Sequence, residues 1–184
     1  MFIVPPSPVK HEPVEFAAPV GRHVRLVTGF CLIVIGGLAL VPLAILISRG
    51  EPAHQAWLTM LAPVCTATVI VPIMLYSQVL GYRLTRDELI VLRRRRQNRY
   101  ALNDLQGVAV DPKAMAWSIK VFGNDGLGAI TGRFRNRKLG AYQAFVTDRI
   151  RGVVLRWPDR CLVVSPDRPE EFAAQIRARA GLKD

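Results

Sequence analysis

Metal-ligating side chains are scarce in this chain of 184 residues, which has three cysteines and three histidines. Cys31, Cys65 and Cys161 show neither metal-ligand spacing nor an even-numbered disulfide framework, and read as small apolar side chains. His11, His23 and His54 are equally scattered, so no zinc site is expected. Acidic residues are also few, 14 against 25 Lys and Arg. Asp104, Asp111, Asp125, Asp148 and Asp159 sit in turn-like contexts, where Asp is favoured for backbone reasons. Ser77, Ser118 and Ser165 have no histidine partner in the sequence around them. The segment GNDGLG (123–128) lacks the strand-to-helix setting of a phosphate-cradling loop and the Lys-Ser or Lys-Thr that should follow. It reads as a hairpin turn. No catalytic group and no cofactor is expected.

Charge is missing altogether from two long runs, one between Arg25 and Arg49 and one from Gln55 to Tyr82. Each exceeds the roughly 20 residues with which a helix crosses a bilayer core. A secretory signal would be a single shorter segment nearer the terminus, so the pair reads as a two-span hairpin, with spans at about 26–48 and 55–80 within 22–82. Lipid offers no partner for open backbone groups, which makes both spans helical. Pro42, Pro63 and Pro72 are expected to bend them, and Gly29, Gly36 and Gly37 to serve packing within the hairpin. With no charge at mid-depth, a proton relay, ion path or transporter is not indicated. Before the runs stand Lys10, Arg22 and Arg25, and after them Arg83, Arg86 and Arg93 to Arg96, while the connecting loop has only Arg49, offset by Glu51. Cationic side chains stay preferentially inside, so both termini are expected to be cytoplasmic in a multi-pass protein of the bacterial cell (inner or plasma) membrane. Residues 1–21 contain five prolines and read as a flexible, poorly ordered arm.

Beyond Tyr82 the apolar blocks give way to short alternating runs: YRLT, ELIVLR, RYAL, GVAV, WSIKVF, GAITGRF, AFVT, GVVLRW and CLVVS. Turn residues separate them, which points to an antiparallel sandwich or small barrel over 83–184. SPDRPEEFAAQIRARAG then carries a helix signature. Asp167 stands three residues before Glu170 as a capping pair, Phe172 and Ile176 share a face, and Gly181 supplies a stop. That apolar stripe suits a helix closing the open end of a barrel.

The segments YRLTRDELIVLRR, GRFRNRKLGAYQAFVTD and LVVSPDRPEEFAAQI make the stretch from Gly81 to Gly181 resemble the bacterial pleckstrin-homology-like (PH-like) domain proteins. The resemblance implies about seven antiparallel strands in a bent sheet capped by a C-terminal helix. It implies little about activity, since fold alone does not convey function. In eukaryotic relatives of the fold a basic pocket near the first two strands holds phosphoinositides. Arg86 and Arg93 to Arg96 lie in that part of this chain, without a residue-by-residue match to the pocket, and its ligands are not carried over.

Two basic clusters remain as candidate contacts. The segment from Gly81 to Asp184 holds 21 Lys and Arg against 11 Asp and Glu, about +10 of the total of +11. Within it, Arg93, Arg94, Arg95 and Arg96 are expected to act first as a topological signal and second as an anionic lipid contact. In an extended chain Arg133, Arg135 and Arg137 project alike, with Lys138 beside them and Phe134 opposite, either as a phosphate-binding comb or as a solvated strand face. Tyr100, Phe134, Tyr142 and Phe145 fit core positions better than base-stacking ones, so nucleic acid is not the expected partner. The expectation is a non-enzymatic interaction or scaffold module at the cytoplasmic membrane face, with a protein partner and assistance from anionic phospholipid headgroups. The alternative is an accessory subunit of a larger integral membrane complex.

Overall fold

The computed structural model describes residues 13–49 and 53–182. Ten strands and three α-helices lie among them. The chain enters a sheet as β1 (Val14–Ala17) and leaves it as α1 (Arg22–Arg49). It returns as α2 (Ala53–Ser77) and rejoins the same sheet as β2 (Val79–Leu84). Strand β1 pairs antiparallel with β2, Val14 opposite Leu84 and Ala17 opposite Gly81. The two long helices are thus the connection of a β-hairpin.

This corrects two expectations. Within the stretch read as a flexible arm, 14–17 form a strand, because Phe16 is an apolar anchor with 1% exposure that meets Phe172 edge-on at 5.0 Å. Residues 1–12, including the proline-rich VPPSP, lie outside the described residues. The second span was expected to run to residue 80, yet α2 stops at Ser77 and Val79 and Leu80 belong to β2. Backbone pairing with β3 takes over there.

The first sheet has the order β1-β2-β3-β4, with β3 (Glu88–Arg93) and β4 (Gln97–Ala101) joined by a tight turn. The second comprises β5 (Gly107–Val110), β6 (Ile119–Asp125), β7 (Ile130–Asn136), β8 (Gly140–Val146), β9 (Val153–Arg156) and β10 (Cys161–Val164). Its order is β5-β9-β10-β8-β7-β6. The expected count of about seven antiparallel strands is therefore too low, and one pair is parallel. The β9–β10 hairpin folds back so that β10 inserts between β9 and β8, running parallel to β8.

Alternation along the strands makes two cores. Tyr82, Leu89, Phe145, Leu155 and Leu162 point to one side, where α3 (Pro169–Ala180) adds Phe172, Ala173 and Ile176. Val154, Val163, Ala144 and Phe134 point to the other, under Ala114, Met115 and Val24 of α1. The α3 stop is as expected, with Gly181 left-handed at φ 66°. Its start is not. Arg168 is the N-cap without a side-chain cap bond, and the Asp167 N–H is used by the Ala17 carbonyl at 3.0 Å, tying α3 to β1.

The helical pair has a different surface. The segment Arg22–Val41 is long and apolar enough to cross a membrane, with a mean hydropathy of 2.3 and only 6% of it buried. In α2 the described apolar stretch is the shorter Pro63–Ser77. Phe30, Ile33 and Ile47 all stand open. Gly29, Gly36 and Gly37 have nothing within 4 Å of a built Cβ, so among the described residues they do not serve packing between the two helices.

Candidate ligand groove where helices meet sheet

The arginine run is split by its local structure. Arg93 ends β3 and Arg94 to Arg96 make the turn into β4, closed by the Arg93 N–H to the Arg96 carbonyl at 3.1 Å. Arg93 donates through Nη2 to the Tyr76 carbonyl at 2.9 Å and lies over the Phe145 ring at 5.5 Å. Arg94 donates through Nη1 to Gln78 Oε1 at 3.0 Å. Both therefore sit at the C-terminus of α2, where carbonyls lack helical partners and the helix dipole favours cations. Burial, followed by repulsion from Arg96, lowers the Arg93 pKa from the ordinary arginine value. Arg95 and Arg96 are exposed, and their side chains have no hydrogen-bond or ion-pair partner among the described residues.

A second piece of sheet reaches the same place. The β6–β7 turn is held by Asn124, whose side-chain amide donates to the Ala129 carbonyl at 2.8 Å and to the Leu127 carbonyl, and whose Oδ1 accepts the Leu127 N–H at 3.1 Å. This turn is wedged against both long helices. The Gly128 N–H donates to Thr28 Oγ1 at 3.0 Å, and the Thr28 hydroxyl donates to the Gly126 carbonyl at 3.2 Å. Asp125 lies 2.6 Å from Arg149 and 4.0 Å from His23. The segment GNDGLG is the hairpin turn its composition indicates, and its task is mechanical.

Between these parts runs a groove of about 770 Å³. Pro72, Ile73 and Tyr76 of α2 form one wall, Arg93, Arg96 and Asn98 a second, and Lys120, Val121 and Phe122 of β6 a third. Gln143 and Phe145 lie at its base. Among the described residues no carboxylate lines it. Strand β6 bulges at Val121, since Lys120 pairs with Phe134 but Phe122 with Arg133. The irregularity turns Phe122 onto the face that carries Arg133 and Gln143, where it is 77% exposed.

The two basic clusters thus come partly together. Arg93 and Arg96 line the groove, and Arg133 and Arg135 project from the sheet face that forms its side, opposite buried Phe134. Arg94 is tied to Gln78, and Arg95 is not among the lining residues. Arg137 lies past the end of β7, out of the comb, and Lys138 is bound to Asp111 at 2.6 Å. Tyr76, Asn98, Lys120 and Phe122 were not singled out in the sequence. A lone cation, Lys120, between Ile119 and Val121 in the run IKVF was the available signal.

Buried polar groups around Ser165 bond one another within the core. The Tyr82 hydroxyl donates to the Phe145 carbonyl at 2.7 Å and accepts the Ser165 N–H at 3.0 Å. Ser165 Oγ accepts the Thr147 N–H at 2.8 Å. Burial pushes the Cys161 thiol pKa up, which keeps it protonated and a poor nucleophile.

A family model described as a bacterial PH domain matches residues 80–180. No curated protein and no solved structure shows a significant match to the chain.

Proposed function

Since the chain belongs to the bacterial PH domain family, we propose that it is a membrane-anchored, non-enzymatic interaction module, held at the cytoplasmic face of the bacterial cell membrane by a two-span hairpin. The observation that carries this reading is the contrast between a sheet domain with two filled cores and a helix, α1, of whose apolar segment Arg22–Val41 only 6% is buried. Apolar surface of that extent requires an apolar surrounding. The placement of both helices between two adjacent strands supports an even number of crossings, with the segment before α1 and the domain after α2 on one side. The charge asymmetry favours the cytoplasm for that side. A protein partner, assisted by anionic phospholipid headgroups, engages the domain.

Fractionation of the full chain tests the anchoring. It is expected to stay in the pellet through high salt and alkaline carbonate and to be released by detergent. Release by carbonate sinks the reading.

Gly29, Gly36 and Gly37 support a second reading, an accessory subunit whose hairpin packs against other membrane helices, because open small residues let helices approach closely. Crosslinking through cysteines placed beside these glycines in native membranes separates the two. A reproducible non-self partner at the spans favours the subunit.

A further inference from the structure

We infer that the groove is a docking channel for an extended segment of a partner protein, acidic and apolar by turns, which lies along the open edge of β6 as an added strand. The inference rests on the interaction-module reading above and gives the protein partner a chemistry and a place. It does not depend on the membrane anchor.

Both sheets end at this groove. Strand β4 is last in the order of the first sheet and β6 in that of the second, so each is paired on one side alone, with β3 and with β7. Asn98 of β4 and Lys120 to Asn124 of β6 line the groove. An edge strand carries a row of unpaired backbone N–H and C=O groups, which is a template for another strand. The side chains of β6 are ones that water covers poorly. Ile119 and Phe122 are 74% and 77% exposed, and they share a face with Arg135 and Arg133, their partners across the β6–β7 pair. At the end of the strand away from the turn that meets the helices, Trp117 is 98% exposed on a backbone at φ 54°, a costly conformation for a bulky residue. Its neighbour is pinned: Ser118 Oγ accepts the Asn136 amide at 3.0 Å and the Tyr142 hydroxyl at 2.6 Å. An aromatic side chain held out on such a support is a preorganised anchor.

Charge selects the occupant. Arg96, Lys120, Arg133 and Arg135 have no acidic partner among the described residues. A second copy of the chain would set these cations against their own kind, and a lysine and a bulge, here Lys120 and Val121, are the devices with which edge strands resist self-pairing. To an acidic strand the same lysine is a contact. Lipid covers apolar side chains but offers no partner to a backbone edge. An extended segment that alternates carboxylates with apolar side chains meets the edge, the aromatic anchors and the cations together.

The test uses the full chain in nonionic detergent, so that its outcome is separate from that of the carbonate extraction. The probe is a fluorescent heptapeptide in which glutamate alternates with valine and phenylalanine. It is compared with its lysine counterpart and with two acidic versions, N-methylated either at the glutamates or at the apolar residues, each of which lacks the N–H groups of one strand edge. Saturable one-to-one binding of the acidic peptide is expected, with none of the lysine peptide and at least about tenfold weaker binding of one N-methylated version. Trp117→Ala with Phe122→Ala should weaken the acidic peptide at least about tenfold without lowering the melting temperature, since both side chains are exposed. Lys120→Gln with Arg133→Gln should cost about tenfold, whereas Arg95→Gln with Arg137→Gln removes equal charge outside the groove and should change binding by less than about twofold. Equal losses in the two charge pairs, or undiminished binding of both N-methylated versions, overturn the added strand. Displacement of the peptide by phosphatidylglycerol added to the micelles gives the patch to lipid, and a dimer in sedimentation that Phe122→Ala dissolves gives it to a second copy. Either result also overturns the inference.

Discussion

The side chains that join the helical pair to the sheets are few, and each has a separable cost. Removing the Arg93 guanidinium frees the Tyr76 carbonyl and uncovers Phe145. Arg93→Gln should therefore destabilise the detergent-solubilised chain by about 1–2 kcal/mol, while Arg95→Gln stays within about 0.5 kcal/mol. Thermal melting of the two variants side by side checks this. At the core, Tyr82→Phe leaves the Ser165 N–H and the Phe145 carbonyl without the hydroxyl they share, at a cost of about 1–3 kcal/mol. The same hydroxyl predicts a pH dependence. Burial raises its pKa from 10.0 to about 12, so above pH 10 the unfolded chain releases a proton that the folded chain retains. Its contribution is fully present below pH 10 and is lost as pH rises towards 12, about 2–3 kcal/mol in all. Denaturant midpoints measured across that interval should fall in the parent and fall less steeply in Tyr82→Phe.

At the level of elements, the β6–β7 turn is the wedge between the helices, and Gly128 is its contact point with α2. A Cβ there would stand 2.7 Å from the Met74 carbonyl, on a backbone at φ 79°. Gly128→Ala should cost about 1–3 kcal/mol and speed amide exchange in the last turns of α2, and unchanged exchange there would show that the turn does not brace the helix. The nine short runs read from Tyr82 onward each overlap one strand from β2 to β10, because alternation and turn residues are local signals, although the fold was expected to hold only about seven. The parallel placement of β10 was not, since the order of strands depends on contacts far apart in sequence. Strand β1 was hidden for a related reason: VEFA is four residues beside prolines, and only pairing with β2, some sixty residues on, makes it a strand. The groove was half legible. Its arginines stand out as a run, but Phe122 turns onto the face of Arg133 only because of the bulge at Val121.

For the whole molecule, the pairing of β1 with β2 binds the segment before the helices to the domain behind them. Reporter fusions at the N-terminus and after Asp184 should therefore report the same compartment, the cytoplasm, and fusions in the Arg49 to His54 loop the opposite one; a loop reporter that remains cytoplasmic would remove the two-span arrangement. Phe16→Ala should loosen this closure by about 3–5 kcal/mol, seen as a lower melting temperature of the sheet domain. The same pairing also sets an order of events during synthesis. Strand β1 leaves the ribosome first, yet its partner follows only after roughly sixty further residues, a wait of about 3–12 s at ordinary elongation rates. During that interval Phe16 has no core to enter and the helices are the only structure available to form. On the two-span reading proposed above, the sheet closes last, and it closes in register only when both helices have brought the chain back to its starting side, so that a finished domain would be a record of correct insertion.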